Sequence, residues 1–248
     1  MTLQKFFSDH PSAAVAFSGG VDSAYLLYAA KKYAKKVRAY YVNSEFQPSF
    51  ELEDAKRFAA EWKADIRILA LDVLSIPRVG DNPPDRCYFC KKAIFTAIHS
   101  AAKADGFSLL LDGTNASDDD ADRPGMRALA ELSVLSPLRE CGLTKQEIRR
   151  LSREAGLFTW DKPAYACLAT RLPSGETITQ EKLRAAEAAE AYLFSLGFTD
   201  FRVRSQDGNA RIQLPASQLP RLLECRADIL RRLKEYYKTV SLDLEVRE

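Results

Sequence analysis

The feature that most constrains the fold is the hexapeptide SGGVDS at residues 18–23, which lies between an apolar run and a helical pattern. Residues 12–17 predict a strand, and the spacing of Val21, Leu26 and Ala29 predicts a helix. Two adjacent glycines let the backbone turn sharply and approach a ligand closely. A chain with such a turn after its first strand is expected to form an α/β fold with an anion site at that turn.

Strands and helices alternate along most of the chain. Strands are predicted at residues 37–43, 65–71 and 108–112, and helices at residues 49–62 and 85–104. A further helix begins at the capping box TKQE of residues 144–147 and ends at Gly156, whereas residues 77–84 predict a loop. This order predicts a Rossmann-like α/β domain built on a parallel sheet with right-handed crossovers.

The order of elements changes after residue 165. The predicted elements are a helix capped by Thr179 and ended by Gly197, strands at residues 201–205 and 210–214 joined through Asp207-Gly208-Asn209, a helix at 215–236 and a strand at 240–246. This order predicts a second, smaller α+β domain. The domains are accordingly expected at residues 1–168 and 169–248.

Composition narrows the class of partner. The chain has 248 residues, of which 46% are hydrophobic, and its net charge is only +2. Nucleic-acid binding rests on clustered Lys and Arg, and no cluster stands out here, so no nucleic-acid partner is expected. No apolar stretch approaches the ~20 residues of a membrane span, and the first residues lack an apolar signal segment. We therefore expect a cytoplasmic protein without a membrane partner.

Two residue counts bear on the chemistry. His10 and His99 are the only histidines, and the five cysteines are an odd number. A metal or acid–base site built from histidine is therefore not expected. In a reducing cytosol, cysteines occur as thiols or metal ligands more often than as disulfides.

The side chains of the hexapeptide suit a phosphate group and a metal ion. Backbone amides at the start of the following helix point at a bound anion, and the helix dipole favours it. Ser18 and Ser23 can donate hydroxyl hydrogen bonds. Asp22 would repel a phosphate unless Mg²⁺ lay between them. The hexapeptide matches neither the Walker A pattern nor GxGxxG. It is therefore not a Walker loop, and the case for a dinucleotide-binding site is weaker.

A second polar segment is expected at the same edge of the sheet. The sequence DGTN at residues 112–115 follows a predicted apolar strand. Because the carboxyl ends of parallel strands share one edge, Gly113 and Thr114 are candidates for nucleotide binding. Asn43 and Ser44 follow the second strand and are candidates for the adenosine side by the same geometry.

The hexapeptide SGGVDS resembles the pyrophosphate loop of the PP-loop ATP pyrophosphatase superfamily. Members of that superfamily include GMP synthetase, NAD synthetase, argininosuccinate synthetase and the tRNA thiolation enzymes. The resemblance implies an enzyme that cleaves ATP to AMP and pyrophosphate and activates a substrate oxygen as an adenylate, which a nucleophile then displaces. It also implies that Gly19, Gly20, Asp22 and Ser23 hold the pyrophosphate end of ATP.

Three of the cysteines occupy informative positions. Cys87 and Cys90 share one face at the start of a predicted helix, where the helix N-terminus and nearby Arg and Lys residues favour thiolates. Cys167 lies at the predicted domain junction, and Cys141 and Cys225 lie in ordinary contexts. Residue types and spacing leave four interpretations open: a zinc site, a redox or persulfide pair, unrelated core thiols, or three thiolates holding a [4Fe–4S] cluster with an open fourth iron.

Several segments together resemble the LarE family of ATP-dependent sulfur transferases. They are NPPDRCYFCKKAIF at residues 82–95, DGTN followed by an acidic stretch and RPGMRAL, SPLRE at residues 136–140, and ACLATRLPSGETIT at residues 166–179. With SGGVDS and RVR at residues 202–204, the resemblance covers nearly the whole chain. That family builds the pyridinium bis-thiocarboxylate mononucleotide of the nickel-pincer cofactor of lactate racemase. The implied reaction adenylates a carboxylate of pyridinium-3,5-biscarboxylic acid mononucleotide and replaces AMP with sulfur.

The resemblance implies roles for the cysteines and for the partners. Cys167 matches the family's sulfur-donor cysteine, whose sulfur some members sacrifice, leaving dehydroalanine. Cys87 and Cys90 resemble the subgroup in which three cysteines hold a [4Fe–4S] cluster and the enzyme turns over. The implied cofactors are ATP, Mg²⁺ and that cluster. The implied partners are the mononucleotide substrate, sulfide or another sulfur donor, and further copies of the chain in a homo-oligomer.

Arginines are the candidates for substrate binding. Arg202 and Arg204 alternate on a predicted strand and therefore face the same side. Their guanidinium groups suit bidentate phosphate binding, and the family resemblance places such arginines on the substrate phosphate. Arg171, four residues after Cys167, is a candidate to neutralise the carboxylate that is activated.

An acidic metal site in the second domain is less well supported. Glu187 and Glu190 could bind a metal ion, but glutamates on helices are usually solvated. Family members often place an acidic residue near Gln213, and a glutamine supplies no charge.

Three other functions are also compatible with the sequence. A tRNA thiolation enzyme of the same superfamily would need a basic face for RNA. An amidating ligase would use ammonia and no thiol. A non-enzymatic ATP sensor would bind ATP without releasing pyrophosphate.

Overall fold

The computed structural model describes residues 1–118 and 124–247, which divide into two compact units. The first unit comprises Met1–Ile76 and Asp85–Lys162, and the second comprises Pro77–Pro84 and Pro163–Glu248. The sequence places the change of domain after residue 168, a few residues further on. No helix in the described residues has both the length and the apolar content needed to cross a membrane.

The first unit contains seven helices and four strands in its described residues. The helices are α1 (Leu3–Asp9), α2 (Val21–Tyr33), α3 (Ser49–Trp62), α4 (Arg86–Ala104), α5 (Pro124–Glu131), α6 (Pro137–Glu140) and α7 (Lys145–Glu154). The strands are β1 (Ser12–Ala16), β2 (Lys36–Asn43), β3 (Ile66–Ala70) and β4 (Leu110–Leu111). Helix α1 is not among the predicted elements, and Thr2 caps it by accepting a hydrogen bond from the Lys5 amide.

The four strands of the first unit form a parallel sheet in the order β3-β2-β1-β4. The chain moves outward from β1 through β2 to β3 and then returns to the other side of β1 at β4. This reversal creates a topological switch point between β1 and β4, where open α/β sheets bind ligands. The predicted Rossmann-like α/β fold is confirmed.

Side-chain alternation along the central strands supplies an apolar core on each face of the sheet. In β1, Ala13 and Val15 join one core with α2 and α3, while Ala14 joins the other with α4. In β2, Tyr41 belongs to the first of these cores and Tyr40 to the second. Because both faces are covered, the short apolar strands need no polar face.

The second unit has the predicted α+β composition. Its helices are a short 3-10 helix (Leu168–Arg171), α8 (Gln180–Ser195), a second 3-10 helix (Ala216–Gln218), α9 (Leu219–Glu224) and α10 (Arg226–Leu233). Its strands are β5 (Arg202–Gln206), β6 (Asn209–Gln213) and β7 (Thr239–Leu242), with β5 and β6 antiparallel and β6 and β7 parallel. The predicted hairpin turns through Asp207 and Gly208, both with positive φ, which suits a two-residue type I′ turn.

The single helix predicted at residues 215–236 is wrong. Pro220 lies in the first turn of α9, where its missing N–H leaves no helical hydrogen bond unmade. The helical segment is then interrupted at Cys225, which ends α9 and precedes α10.

Candidate active site

Residues 18–23, here called the phosphate loop, connect β1 to α2. Gly19 has a φ of +77°, a left-handed conformation that favours glycine, and Gly20 is the N-cap of α2. The hydroxyl groups of Ser18 and Ser23 lie 3.1 Å apart, and Ser23 Oγ donates to the Gly20 carbonyl at 3.2 Å. The loop is therefore closed by its own side chains, while Gly20 caps α2 without a side chain of its own.

Residues 112–115, here called the DGTN turn, pack directly against the start of α2. A Cβ placed on Gly113 would lie 2.9 Å from the Ser23 amide nitrogen and 3.2 Å from Ser23 Cα. Only a glycine allows so close an approach between the two backbones. The structure thus brings together the two segments that the sequence placed at one edge of the sheet.

Buried hydrogen bonds fix the conformation of the DGTN turn. Asp112 is 6% exposed and accepts hydrogen bonds from Thr114 Oγ1 and, at 2.6 Å, from Ser136 Oγ. Asn115 Oδ1 accepts from the Ser117 amide at 2.8 Å. The Thr114 hydroxyl is thus already committed to Asp112. The residues beyond the turn, 119–123, include most of its acidic stretch and lie outside the described residues.

Asn43 ends β2, so it lies at the same edge of the sheet as the phosphate loop. Its carbonyl accepts a hydrogen bond from the Leu71 amide at 3.1 Å. Ser44 Oγ donates to Gln47 Oε1. The side chain of Asn43 is half-buried, and its contact with adenosine stays a prediction.

Asp22 is the charged residue of the phosphate loop. Its Oδ2 accepts a hydrogen bond from Lys145 Nζ at 2.6 Å, whereas its buried Oδ1 has no hydrogen-bond partner in the described residues. Burial raises the pKa of this carboxyl above its ordinary value, although the Lys145 ammonium opposes that shift. A carboxylate oxygen left without a partner beside an anion site is the ligand that Mg²⁺ needs, so these residues fit the predicted cation.

The cysteine pair lies in the first turns of α4. Cys87 is exposed and Cys90 is buried. Of the cations expected to favour thiolates, Lys92 instead donates to Glu131 at 2.7 Å and to the Tyr88 hydroxyl at 3.0 Å. The pair therefore begins a well-formed helix with one thiol open to solvent.

Cys167 belongs to the second unit and immediately precedes its first 3-10 helix. Its carbonyl accepts hydrogen bonds from the amide and, at 2.8 Å, the hydroxyl of Thr170. Within residues 1–118 and 124–247, no group of three or more His, Cys, Asp or Glu side chains could hold a metal ion. The three-cysteine site therefore remains a prediction from sequence.

A buried ion pair braces the segment that carries Cys167. Arg171 and Glu190 are each 1% exposed and form two hydrogen bonds of 2.7 and 2.9 Å. Arg171 Nη1 also donates to the Ala166 carbonyl at 3.1 Å, next to Cys167, and Tyr165 donates to Glu190. Burial would lower the pKa of Arg171, but the hydrogen bonds and charge of Glu190 raise it above its ordinary value.

This pairing corrects one prediction and redirects another. The expectation that Glu190 is solvated is wrong, because α8 buries that face against β5, where the Val203 amide also donates to Glu190 at 2.9 Å. Arg171 already has a carboxylate partner, so its observed contacts brace the Cys167 segment. Its contact with a substrate carboxylate stays a prediction.

Arg202 and Arg204 lie two residues apart on β5, as predicted, and neither forms an ion pair among the described residues. Arg202 donates to the carbonyls of Phe201 and Ala164, both at 2.6 Å. Arg204 donates to Gln213 Oε1 at 2.9 Å and to the Thr170 carbonyl. Burial and the neighbouring Arg171 and Arg247 lower the pKa of both guanidinium groups.

Arg204 faces a cavity of about 540 Å³ in the second unit, here called the arginine pocket. Its polar lining includes Thr170, Arg204, Arg211, Gln213 and Ser241. The pocket is large enough for a mononucleotide-sized ligand. Its cationic lining favours an anionic one.

Gln213 has an acidic neighbour that the sequence analysis missed. Its Nε2 donates to Asp243 Oδ2 at 2.7 Å, and Arg211 forms an ion pair with the same oxygen at 3.3 Å. The hydrogen bond from Gln213 is the main cause of the lowered pKa of Asp243. Asp243 thus already accepts a hydrogen bond from Gln213 and pairs with Arg211.

The sequence predicts no role for Lys145 or Lys162, and it offers Glu190 only as a candidate metal ligand and not as the partner of Arg171. A usable signal existed for Glu190, because it falls three to seven residues from Leu183, Ala186 and Leu193 on the apolar face of α8. No such signal exists for the lysines. Lys145 meets Asp22 across 123 residues of sequence, and Lys162 meets Gly19 across 143.

Comparison with known proteins defines the class. Residues 12–80 match the profile of the family described as Queuosine biosynthesis protein QueC. The parallel sheet, the glycine loop at its switch point and this match make the chain a PP-loop protein, a class of enzymes that use ATP and Mg²⁺.

Full-length relatives narrow the class to a family. An uncharacterized protein of Synechocystis sp. is 36% identical over 98% of this chain and 92% of its own length. The pyridinium-3,5-bisthiocarboxylic acid mononucleotide synthase of Lactiplantibacillus plantarum is 35% identical over 98% of this chain and 89% of its own. An uncharacterized protein of Methanocaldococcus jannaschii is 26% identical over 94% and 89%. The chain belongs to the LarE family, as the resemblance indicated.

Proposed function

We propose that the protein is an ATP-dependent sulfur transferase acting on pyridinium-3,5-biscarboxylic acid mononucleotide in nickel-pincer cofactor biosynthesis. A substrate carboxylate oxygen attacks the α-phosphorus of ATP, and pyrophosphate leaves. A sulfur nucleophile then attacks the acyl carbon of the adenylate, and AMP leaves to give the thiocarboxylate. The observation that carries the proposal is the phosphate loop held against the DGTN turn at the switch point of a LarE-family chain.

The first unit supplies the groups that would bind ATP. The Gly19–Gly20 backbone, the start of α2 and the hydroxyls of Ser18 and Ser23 suit the pyrophosphate end. Mg²⁺ would bind Asp22 through the unpartnered Oδ1 and neutralise charge on the phosphates. Lys145 would remain on the other oxygen of Asp22, Oδ2, and keep the carboxylate in place.

The second unit supplies the groups that would bind the substrate. Arg204 lines the arginine pocket, and Arg202 precedes it on the same strand face, so the two would hold the substrate phosphate. Arg171 and Glu190 would keep Cys167 presented during the reaction. In this proposal the first unit recognises ATP and the second unit recognises the substrate.

The source of the transferred sulfur is the most detailed part of the proposal. Family resemblance supports Cys167 as donor together with Cys87 and Cys90 in a [4Fe–4S] cluster that receives sulfide or another sulfur donor. When bound, such a cluster could present an extra sulfide at its open iron. Anaerobic reconstitution with iron and sulfide assay tests it, and a colourless, iron-free protein would exclude it.

The reaction itself is tested with ATP, Mg²⁺ and the biscarboxylic acid mononucleotide, with pyrophosphate and product mass as readouts. Cys167→Ala should still release pyrophosphate but incorporate no sulfur. The matched control is Cys225→Ala, which removes another partly exposed thiol of the second unit and should behave as wild type. Sulfur incorporation by Cys167→Ala, or no pyrophosphate from the wild type, contradicts the proposal.

An amidating ligase is an alternative function that is compatible with the QueC match. That match covers residues 12–80 and ends before Cys87, so it supports ATP use and is silent on the nucleophile. With ammonia as nucleophile, Cys167→Ala would form an amide at the wild-type rate.

We further propose a cytoplasmic homo-oligomer that uses no nucleic acid. Sedimentation and a tRNA mobility shift at several salt concentrations test the last two points.

A further inference from the structure

Lys162 is the last residue of the first unit, and its ammonium reaches back to the phosphate loop. Its Nζ donates to the Gly19 carbonyl oxygen at 3.2 Å and to Asp54 Oδ2 at 2.6 Å. Its side chain is only 16% exposed, and the Phe50 ring centroid lies 5.3 Å from Nζ. This lysine is therefore held in one place by groups from α3 and from the loop.

The backbone of Lys162 is held as firmly as its side chain. Arg149 on α7 donates from Nη1 to the Trp160 carbonyl at 2.7 Å and from Nη2 to the Lys162 carbonyl at 2.8 Å. Two charge-assisted hydrogen bonds from one planar guanidinium fix the chain on either side of residue 161. Lys162 consequently approaches Gly19 from an anchored position.

The Gly19 carbonyl belongs to the peptide that also carries the Gly20 N–H. In a planar trans peptide these two groups point in opposite directions, so a donor on the carbonyl also sets the direction of the amide. The Gly20 amide faces the inside of the loop, where Ser18 Oγ lies 3.4 Å away. That long hydrogen bond is one that an anionic oxygen could replace.

A peptide between two glycines is also the easiest to turn over. Rotation would change ψ of Gly19 and φ of Gly20, and neither residue has a Cβ to resist the change. After such a rotation, the Gly19 carbonyl oxygen would point into the loop and repel a phosphate. The loop therefore needs a group outside it that holds the carbonyl, and Lys162 occupies that position.

We infer that Lys162 is a positioning residue that keeps the Gly19–Gly20 peptide in its anion-binding orientation. Asp54 holds the ammonium in place, and the effect reaches the pyrophosphate end of ATP through the backbone. This role rests on the proposed function, because it assumes that the loop binds pyrophosphate. It predicts that Lys162 affects pyrophosphate and leaves the adenosine part of ATP unaffected.

The test compares calorimetric affinities of the full chain for inorganic pyrophosphate with Mg²⁺ and for AMP. Lys162→Met should weaken pyrophosphate binding about tenfold, the equivalent of one charge-assisted hydrogen bond, and leave AMP binding unchanged. Lys31→Met is the matched control, because Lys31 Nζ also donates to a backbone carbonyl, that of Lys63, at 2.9 Å. It should match the wild type for both ligands.

Asp54→Asn separates positioning from direct charge attraction. If Lys162 acts through Gly19, loss of its carboxylate partner loosens the ammonium and weakens pyrophosphate binding. If Lys162 touches phosphate directly, the same variant frees its charge and binds pyrophosphate at least as tightly, which would overturn the inference. Unchanged pyrophosphate affinity in Lys162→Met, or equal losses for AMP and pyrophosphate, would overturn it as well.

These outcomes also distinguish this role from the proposed function. A wild type that binds pyrophosphate and AMP, with a Lys162→Met variant that does the same, removes the positioning role and leaves ATP use intact. A wild type that binds neither ligand removes the proposed function and this role together.

Discussion

The phosphate loop of the first unit and the arginine pocket of the second unit both suit anions, but they are built differently. The phosphate loop offers backbone amides, small hydroxyl side chains and one carboxylate oxygen without a partner. The arginine pocket and the strand that borders it offer whole charges on the guanidinium groups of Arg204 and Arg202, which also donate to backbone carbonyls. The first site depends on backbone shape, and the second depends on long side chains fixed by buried partners.

The two sites should therefore be vulnerable to different substitutions. In the phosphate loop, an added methyl group or a turned peptide alters the geometry while the fold persists. In the second unit, the buried Arg171–Glu190 pair both braces the Cys167 segment and contacts β5, so its loss disturbs fold and site together.

The largest effect is expected from breaking the buried pair. Glu190→Ala leaves the Arg171 charge buried without a partner and should lower the free energy of unfolding by ~3–5 kcal/mol, measured by urea titration. Glu154→Ala is the control, because the Arg150–Glu154 pair has a 2.6 Å contact but both side chains are 59% exposed. That variant should change stability by less than ~1 kcal/mol.

A double variant separates loss of the ion pair from burial of an unpaired charge. Arg171→Met with Glu190→Met replaces the pair by apolar side chains and leaves no unpaired charge, so it should lose less stability than Glu190→Ala alone. Equal losses in the Glu190 and Glu154 variants would show that burial of the pair is not what stabilises the second unit.

A smaller effect is expected where the two backbones of the first site meet. Gly113→Ala places a methyl group 2.9 Å from the Ser23 amide nitrogen, so backbone must move at a cost of ~1–3 kcal/mol. We expect weaker ATP binding, measured by calorimetry, with the melting temperature lowered modestly.

The control for Gly113 is Gly125→Ala. The three atoms nearest to its added Cβ all belong to the flexible side chain of Lys91, which can move away. Stability and ATP binding should therefore match the wild type. If Gly113→Ala binds ATP normally, the DGTN turn does not shape the phosphate loop.

The smallest effect is expected from a charge network of the first unit that includes no residue of the phosphate loop or of the arginine pocket. Asp105 accepts hydrogen bonds from Tyr40 and from Arg67 and pairs with Arg38, and these contacts lower its pKa to about 2. Because the folded-state pKa is depressed below the ordinary 3.8, the stabilisation is present above that value and is lost as pH falls toward 2. Asp105→Asn should be less stable than the wild type at neutral pH.

The stability difference between Asp105→Asn and the wild type should therefore shrink as pH falls from 3.8 toward about 2, as followed by thermal melts. Pyrophosphate affinity at neutral pH should not change. A difference that grows with acidity would contradict the assigned direction of the pKa shift.

Sequence by itself determined the features that depend on short stretches of chain. The phosphate loop follows from adjacent glycines between an apolar strand and a helix, and the Thr144 capping box begins α7 as predicted. Alternating strands and helices gave the parallel sheet, and Asp207-Gly208 gave the hairpin. Each signal is local, because backbone conformation and side-chain periodicity act over a few residues.

Tertiary structure alone decided which distant groups meet. Glu190 pairs with Arg171 across 19 residues, Lys145 with Asp22 across 123, and Lys162 with Gly19 across 143. No local signal shows that Lys145 or Lys162 has a distant partner, and the apolar face of α8 marks Glu190 as buried without identifying its partner. Its partner is set by how helices pack on the sheet, since packing determines which charges lose water and must find an opposite charge or a carbonyl.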